Sequence, residues 1–384
     1  MFSRSAALLV PLVVGFHLAG CGCTENLEEW PLWLSYSNTF IEKDGRVVDH
    51  TASDRTTSEA QAYAMFHALV TDDRERFRRI LAWTETNLAQ GDLSSHLPAW
   101  NWGRNESGNW GVLDANSASD ADLFLAYNLI EAGRLWCNPQ YGELGRRIAA
   151  RIVDTEIVNL PGLGPMMLPG PVGFQVSDDL WRLNPSYLAL PLLRRMASSK
   201  TPGPWGELAV NAVRLLQHST SPAGFVADWV GYDREQGFVS DSVHGNLGSY
   251  DAIRAYLWVA ILSDADPDKS ALLHRMQGMY RMWRDHGILP EKNQGIAPPR
   301  ETRAGPAGFY AALLPMAREM GDQDTFARLR RMVQAHRLGE LYGAPGTYYD
   351  QNLIMFAEGF VDRRYRFAAD GTLEPRWDRP CRLP

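Results

Sequence analysis

The chain has 384 residues, of which 45% are hydrophobic and 22% charged, so it carries ample material for a large core. Its formal net charge of −7, with no basic run or stripe, argues against nucleic acid as a partner. There is no CxxC pair and no HExxH run, and the nine histidines are scattered, which leaves a zinc site without support.

The first twenty residues read as a targeting segment. Arg4 is the only charged side chain before Glu25, and the apolar stretch Ala6–Leu18 is too short to span a bilayer comfortably. It ends in Leu18-Ala19-Gly20-Cys21, which resembles a bacterial lipobox, where the cysteine is acylated and becomes the mature N-terminus. The alternative is an ordinary secretory signal with Cys21 merely near its cleavage site and Cys23 as a competitor. Both readings export the protein, as a periplasmic species or as a lipoprotein anchored to the outer membrane. With Cys21 lipidated, Cys137 and Cys381 are the pair available for a disulfide in an oxidising compartment.

Residues 21–384 contain no linker or low-complexity break and read as one domain. Trp30–Phe40 predicts a helix, followed by a turn at Asp44-Gly45. TTSEAQAYAM (Thr56–Met65) opens a helix with Thr56 and Glu59 in capping-box spacing. Asp73–Leu88 follows, with Phe77, Ile80, Leu81 and Thr84 on one face and arginines on the other. That pairing of an apolar helix with a more charged one recurs. First members start near Ser58, Ser119, Pro185, Gly248, Pro306 and Gln351, and second members near Asp73, Tyr141, Pro204, Pro267 and Asp322. Five pairs, plus the Gln351 helix closed by Trp30–Phe40, predict about twelve helices in a stacked repeat. The fold expected is all-α, a closed toroid of six hairpins with the apolar helices inside. The connecting stretches Pro98–Asp114, Leu160–Trp181 and Pro222–Asn246 are rich in Gly, Pro and aromatics and read as loops.

In such a ring all inner-helix N-termini open on one face, so the residues of their first turns converge. Those residues are acidic. Glu59 lies in TTSEAQAY, Asp120 and Asp122 in NSASDADLFLAY with Ser117 or Ser119 as the N-cap, and Asp251 in GSYDAIR; Asn184-Pro185-Ser186-Tyr187 adds polar and aromatic groups. Two facing carboxyls in an aromatic cleft are what glycoside hydrolysis needs, one protonated and one ionised. A helix N-terminus favours the ionised form, which suits Asp251 as base. Glu59 can hold its proton only if burial or a nearby negative charge outweighs the dipole, and Asp120 is the candidate for that charge. Arg254, one turn after Asp251, is placed to keep the base ionised. Trp100, Trp102, Trp110, Trp181 and Trp229 fall in the loops rather than on helix faces, and indole stacks well on the C–H faces of sugars.

ASDADLFLAYNLIEAGRLW (Ala118–Trp136), with TSEAQAYAMF (Thr57–Phe66) and SYDAIR (Ser249–Arg254), resembles the signature segments of glycoside hydrolase family 8. WPLW, FIEKDGRVVD, LPAWNWG, GLGPMMLPG and WRLNPSYL are similar to the periplasmic endoglucanases associated with bacterial cellulose synthesis. The resemblance implies an (α/α)6 barrel acting as an inverting endo-β-1,4-glucanase on cellulose or a related β-1,4-glucan, as a monomer without metal or organic cofactor. In it Glu59 matches the general acid, Asp251 the general base and Asp120 the aspartate that contacts the sugar at the cleavage point. Tyr250 and Arg254 match residues around the base, Tyr187 falls in a further family segment, and all three are expected to bind substrate. Association with the cellulose synthase secretion apparatus is a further expectation. Asn128 and Leu125 depart from the family pattern at packing positions. The same machinery on xylan, chitosan or a mixed-linkage glucan, and a silent glycan-binding lipoprotein, are the competing readings.

Overall fold

The computed structural model describes residues 30–296 and 303–377. The signal segment, Cys21, Cys23 and Cys381 lie outside the described residues. Cys137 is disulfide-bonded.

An inner ring of helices is formed by α2 (Ser58–Val70), α4 (Ser119–Leu135), α6 (Leu190–Ser198), α8 (Ala252–Ala260), the broken pair α11 (Ala307–Ala312) and α12 (Leu314–Glu319), and α14 (Tyr348–Val361). Each packs against the next, and α14 packs against α2 to close the circle. Outside stand α3 (Arg74–Leu88), α5 (Pro139–Thr155), α7 (Trp205–Ser219), the split pair α9 (Lys269–Arg275) and α10 (Gly278–His286), α13 (Gln323–Ala335), and α1 (Pro31–Phe40) against α14. This is the (α/α)6 arrangement. The sequence explains the sorting. In α4 every residue from Ser119 to Ala132 is buried, so the helix must sit inside, whereas α5 buries only the stripe Gly142, Gly145, Ile148, Ala149 and Ile152. Along that seam glycine is required. A Cβ on Gly145 would meet the Ala126 carbonyl oxygen at 2.8 Å, and one on Gly133 would meet the Gly142 nitrogen at 2.6 Å.

The helix starts differ from expectation in instructive ways. The N-cap of α2 is Thr57, whose hydroxyl accepts from Ala60 N, while Thr56 accepts from Arg46 and donates to the Val47 carbonyl. No capping box forms, and the Glu59 side chain is left free for the cleft. Neither Ser117 nor Ser119 caps α4. Its N-cap is Ala118, and Ser117 donates instead to Glu156 at 2.5 Å. The third inner helix begins with a 3₁₀ turn, Pro185–Tyr187, before α6, and the fourth begins at Ala252 rather than Gly248. The break between α11 and α12 falls at Leu313, with Pro315 in the first turn of α12.

The stretches read as loops carry strands. β1 (Thr56–Thr57), β2 (Asn101–Arg104) and β3 (Trp110–Asp114) form an antiparallel sheet with Thr56 opposite Trp102. β4 (Ile157–Leu160) and β5 (Gly164–Met167) form a hairpin. β6 (Gln175–Ser177), β7 (Leu180–Leu183), β8 (Val230–Asp233) and β9 (Gly237–Ser240) make a four-stranded sheet in that order. Short ribbons β10 (Arg337–Leu338) with β11 (Leu341–Tyr342) and β12 (Tyr365–Phe367) with β13 (Leu373–Pro375) complete the chain. The first of these sheets runs directly into α2 through β1, and the third leads through β7 into the Pro185–Tyr187 turn. No helix among the described residues is long and apolar enough to cross a membrane.

Candidate active site

The inner-helix starts meet in an open cleft of about 300 Å³, lined by Glu59, Tyr187, Tyr250, Asp251, Arg254, Tyr348 and Tyr349 among others. At its floor one buried guanidinium gathers the acids. Nη1 of Arg254 donates to Asp120 Oδ2 at 2.9 Å, to the Tyr63 hydroxyl at 3.1 Å, and in close contact to Glu59 Oε2. Nη2 donates to Asp251 Oδ1 at 2.7 Å. The pairing of Arg254 with Asp251 follows from their spacing on one helix. That the same side chain also holds Glu59 and Asp120 is a product of ring closure.

Burial and mutual repulsion act on the buried acids. Burial pushes the Glu59 carboxyl up; Arg254 pulls it down, Asp120 and Asp251 push it up again, and the result is about 7. Asp120 therefore plays the part expected of it, second to burial. The Asp120 carboxyl is itself raised, by burial against the pull of Arg254. The Tyr348 hydroxyl donates to Glu59 Oε1 at 3.2 Å. Asp251 sits at the N-cap position of α8, at the cleft surface.

The other expected residues divide. The ring of Tyr187 lies under the Arg254 guanidinium at 5.4 Å and lines the cleft. Tyr250 is well exposed, and its hydroxyl donates to Glu291 at 2.8 Å. Trp102 and Trp110 stack on each other at 5.2 Å, with Trp110 42% exposed, on the sheet that leads into Glu59. Trp100 is half-buried, and its backbone ties Ser58 to Asn116, the approaches to α2 and α4. Trp229 stacks on Phe174. Trp181 does not belong with these. It is 5% exposed and packed against Tyr232 in the four-stranded sheet, so it presents no face to a sugar.

Sequence reasoning missed Tyr348, Tyr349 and Asp228. The two tyrosines occupy the first turn of α14, and placing that helix start at Thr347, an N-cap residue, rather than at Gln351 would have found them. Asp228 lies just before β8. One of its oxygens accepts from both Ser249 N and Ala252 N at 2.7 Å, and burial followed by Asp251 pushes its carboxyl up to about 7. No sequence signal marks it. Among the described residues no group of three or more His, Cys, Asp and Glu side chains is placed to hold a metal ion.

Comparison with known proteins agrees with this geometry. The family model "Glycosyl hydrolases family 8" matches residues 12–363. An endoglucanase of Salmonella typhi is 42% identical over 353 residues, 92% of each chain. An endoglucanase of Escherichia coli K12 is 39% identical over 98% of each chain. Among solved structures, the endo-1,4-D-glucanase of Vibrio fischeri superposes with a TM-score of 0.85 at 40% identity, covering 91% of this chain and 99% of its own. Matched over most of its length in sequence, and in fold by a relative with the same helical toroid, the chain belongs to glycosyl hydrolase family 8.

Proposed function

We propose that the enzyme cleaves β-1,4-glucan internally, with inversion at the anomeric carbon. The observation that carries this reading is the convergence of Glu59, Asp120 and Asp251 on Arg254 at the floor of an open cleft. Asp251 takes a proton from a water that attacks the anomeric carbon opposite the scissile bond. Glu59, poised near 7, delivers its proton to the departing oxygen. Asp120 contacts the sugar ring at the cleavage point, and Arg254 fixes the spacing of all three. The Trp102–Trp110 pair supplies an indole platform on the Glu59 side. The endo-1,4-D-glucanase of Vibrio fischeri, 40% identical, supports a 1,4-linked glucan as the substrate, and the endoglucanase relatives support internal cleavage.

Acylation at Cys21 anchors the enzyme to a membrane facing the periplasm, where it trims glucan leaving the cellulose-synthesis apparatus as a monomer. The lipobox-like Leu18–Cys21 run supports the anchor. Loss of labelled palmitate incorporation in Cys21→Ser tests it.

The function is tested by reducing-end release from carboxymethyl-cellulose by a soluble form starting at Thr24, with xylan and chitosan alongside and Glu59→Gln and Asp251→Asn as controls. Activity on the cellulose derivative that both variants lose establishes the reading. Activity on another polymer alone changes the substrate, and retention by cellulose without turnover replaces catalysis by binding.

A further inference from the structure

The mechanism above uses Asp120 and leaves idle its neighbour two residues on. Asp122 is fully buried, and so is Glu156, the C-cap residue of α5. Their carboxyls lie within hydrogen-bond reach of one another. Among the described residues neither is paired with a cation. Glu156 Oε1 accepts from the Ser117 hydroxyl at 2.5 Å, a hydroxyl that Asp122 also feels, whereas both oxygens of Asp122 and Oε2 of Glu156 are buried with no hydrogen-bond partner among the described residues. Two touching carboxylates cannot both be ionised in a dry interior without a counter-charge, because burial and like-charge repulsion act in the same direction. One proton placed between them supplies the missing donor and leaves a single negative charge.

We propose that Asp122 and Glu156 share one proton and serve as positioning residues, a hydrogen-bonded strut that fixes the first turn of α4, and with it Asp120, to the outer helix α5. The strut has three attachment points. Asp122 stands on α4, Ser117 on the segment that enters it, and Glu156 at the end of α5, where its carbonyl accepts from Leu168 N at 2.8 Å. The neighbouring Pro169 carbonyl accepts from Ser119 N at 3.0 Å, closing the same loop onto the helix start. The charged group that both carboxyls feel is Asp120, which raises both; Arg254 stands on the far side of Asp120 and is spent on the catalytic acids. Burial is the main reason that Glu156 is pushed up to about 8 and Asp122 well above the carboxylate range. The inference rests on Asp120 acting in glycan hydrolysis.

An amide at either position replaces the shared proton with a fixed donor and keeps the pair's net charge. In the full enzyme, Asp122→Asn and Glu156→Gln are therefore expected to retain kcat on carboxymethyl-cellulose within about threefold. Asp122→Ala, which strips the donor and leaves a hole, is expected to lose more than about tenfold in kcat with a smaller change in KM. The second readout is Tm against pH. The folded wild type holds a proton that the unfolded chain releases above about pH 4.5, so its stability falls as pH rises towards 8. Asp122→Asn no longer needs that proton, and its decline between pH 5.5 and 8.5 is expected to be shallower. Parallel Tm curves for wild type and Asp122→Asn, or an Asp122→Asn enzyme as inactive as Asp122→Ala, would overturn the proposal. A wild type that cuts no glucan while the Tm curves diverge as expected overturns the role in positioning Asp120 for hydrolysis and leaves the shared proton in place.

Discussion

Arg254 Nη1 donates to Asp120 Oδ2 at 2.9 Å, joining residues 134 positions apart on inner helices α8 and α4, which α6 separates in the ring. Because the same guanidinium also holds Glu59 and Asp251, its removal strands several carboxylates at once. Arg254→Met is expected to lose at least about a hundredfold in kcat. Breaking a buried ion pair from one side costs about 3–5 kcal/mol, and a fall in Tm should accompany the loss. Arg254→Lys should recover little of it, since an ammonium cannot reach in two directions with the planar fork. Reducing-end assays and thermal melts on both variants check this.

Glu59 must be protonated to donate, so the activity it supports is present below its pKa and lost as pH rises through it. With that value near 7, kcat/KM should fall about tenfold per unit on the alkaline side. Glu59→Gln should lower kcat by roughly two to four orders of magnitude across the range. A wild-type alkaline limb that stays flat to pH 9 would remove Glu59 from the acid's role.

Asp228 offers a finer test. Its oxygen receives two backbone N–H groups at the start of the helix that carries Asp251 and Arg254. Its carboxyl, raised to about 7, is neutral at lower pH, so Asp228→Asn should match wild type below pH 7 and differ only above it. Asp228→Ala leaves both donors without their acceptor and should destabilise by about 1–2 kcal/mol, in line with losing a helix cap. Parallel pH–rate profiles and melts separate the two effects.

The tryptophans should sort by exposure. Trp110→Ala removes an exposed ring stacked on Trp102, and on the sugar-platform reading it is expected to raise KM on long glucans several-fold with little change in Tm. Trp181→Ala empties a buried site and should cost about 3–5 kcal/mol, with KM unchanged in the folded fraction. An increase in KM from Trp181→Ala at full stability would show that burial misled this assignment.

Inversion has a direct readout. Newly formed reducing ends from a β-linked chain should appear first as the α-anomer in proton NMR spectra taken within minutes of mixing. An initial β-anomer signal would require a covalent glycosyl intermediate and closer carboxyls than an inverting enzyme allows.

The ring was legible in the sequence because helix sorting follows composition. α4 carries apolar residues on every side and α5 on one stripe, which sorts the first inside and the second outside. The acids were legible for a related reason, since a shared helix-end position becomes a shared place once the ring closes. What escaped depends on contacts between distant segments. The strands at Asn101–Asp114 and Gln175–Ser240 alternate too weakly to announce themselves, because both faces of each sheet meet aromatics or solvent. Thr57 displaced Thr56 as the cap because Arg46 and the Val47 carbonyl had already engaged Thr56. Tyr348 reaches Glu59 across 289 positions, a proximity that no local pattern encodes.

The contact between α14 and α2 carries one more implication, for the timing of activity during biogenesis. Glu59 belongs to one of the first helices to be made and Tyr348 to the last of the inner ring, so no segment short of nearly the whole polypeptide contains a working cleft. A chain still on the ribosome is hydrolytically inert. A chain truncated before Thr347 should show no catalysis, because it lacks the Thr347–Asp350 wall of the cleft.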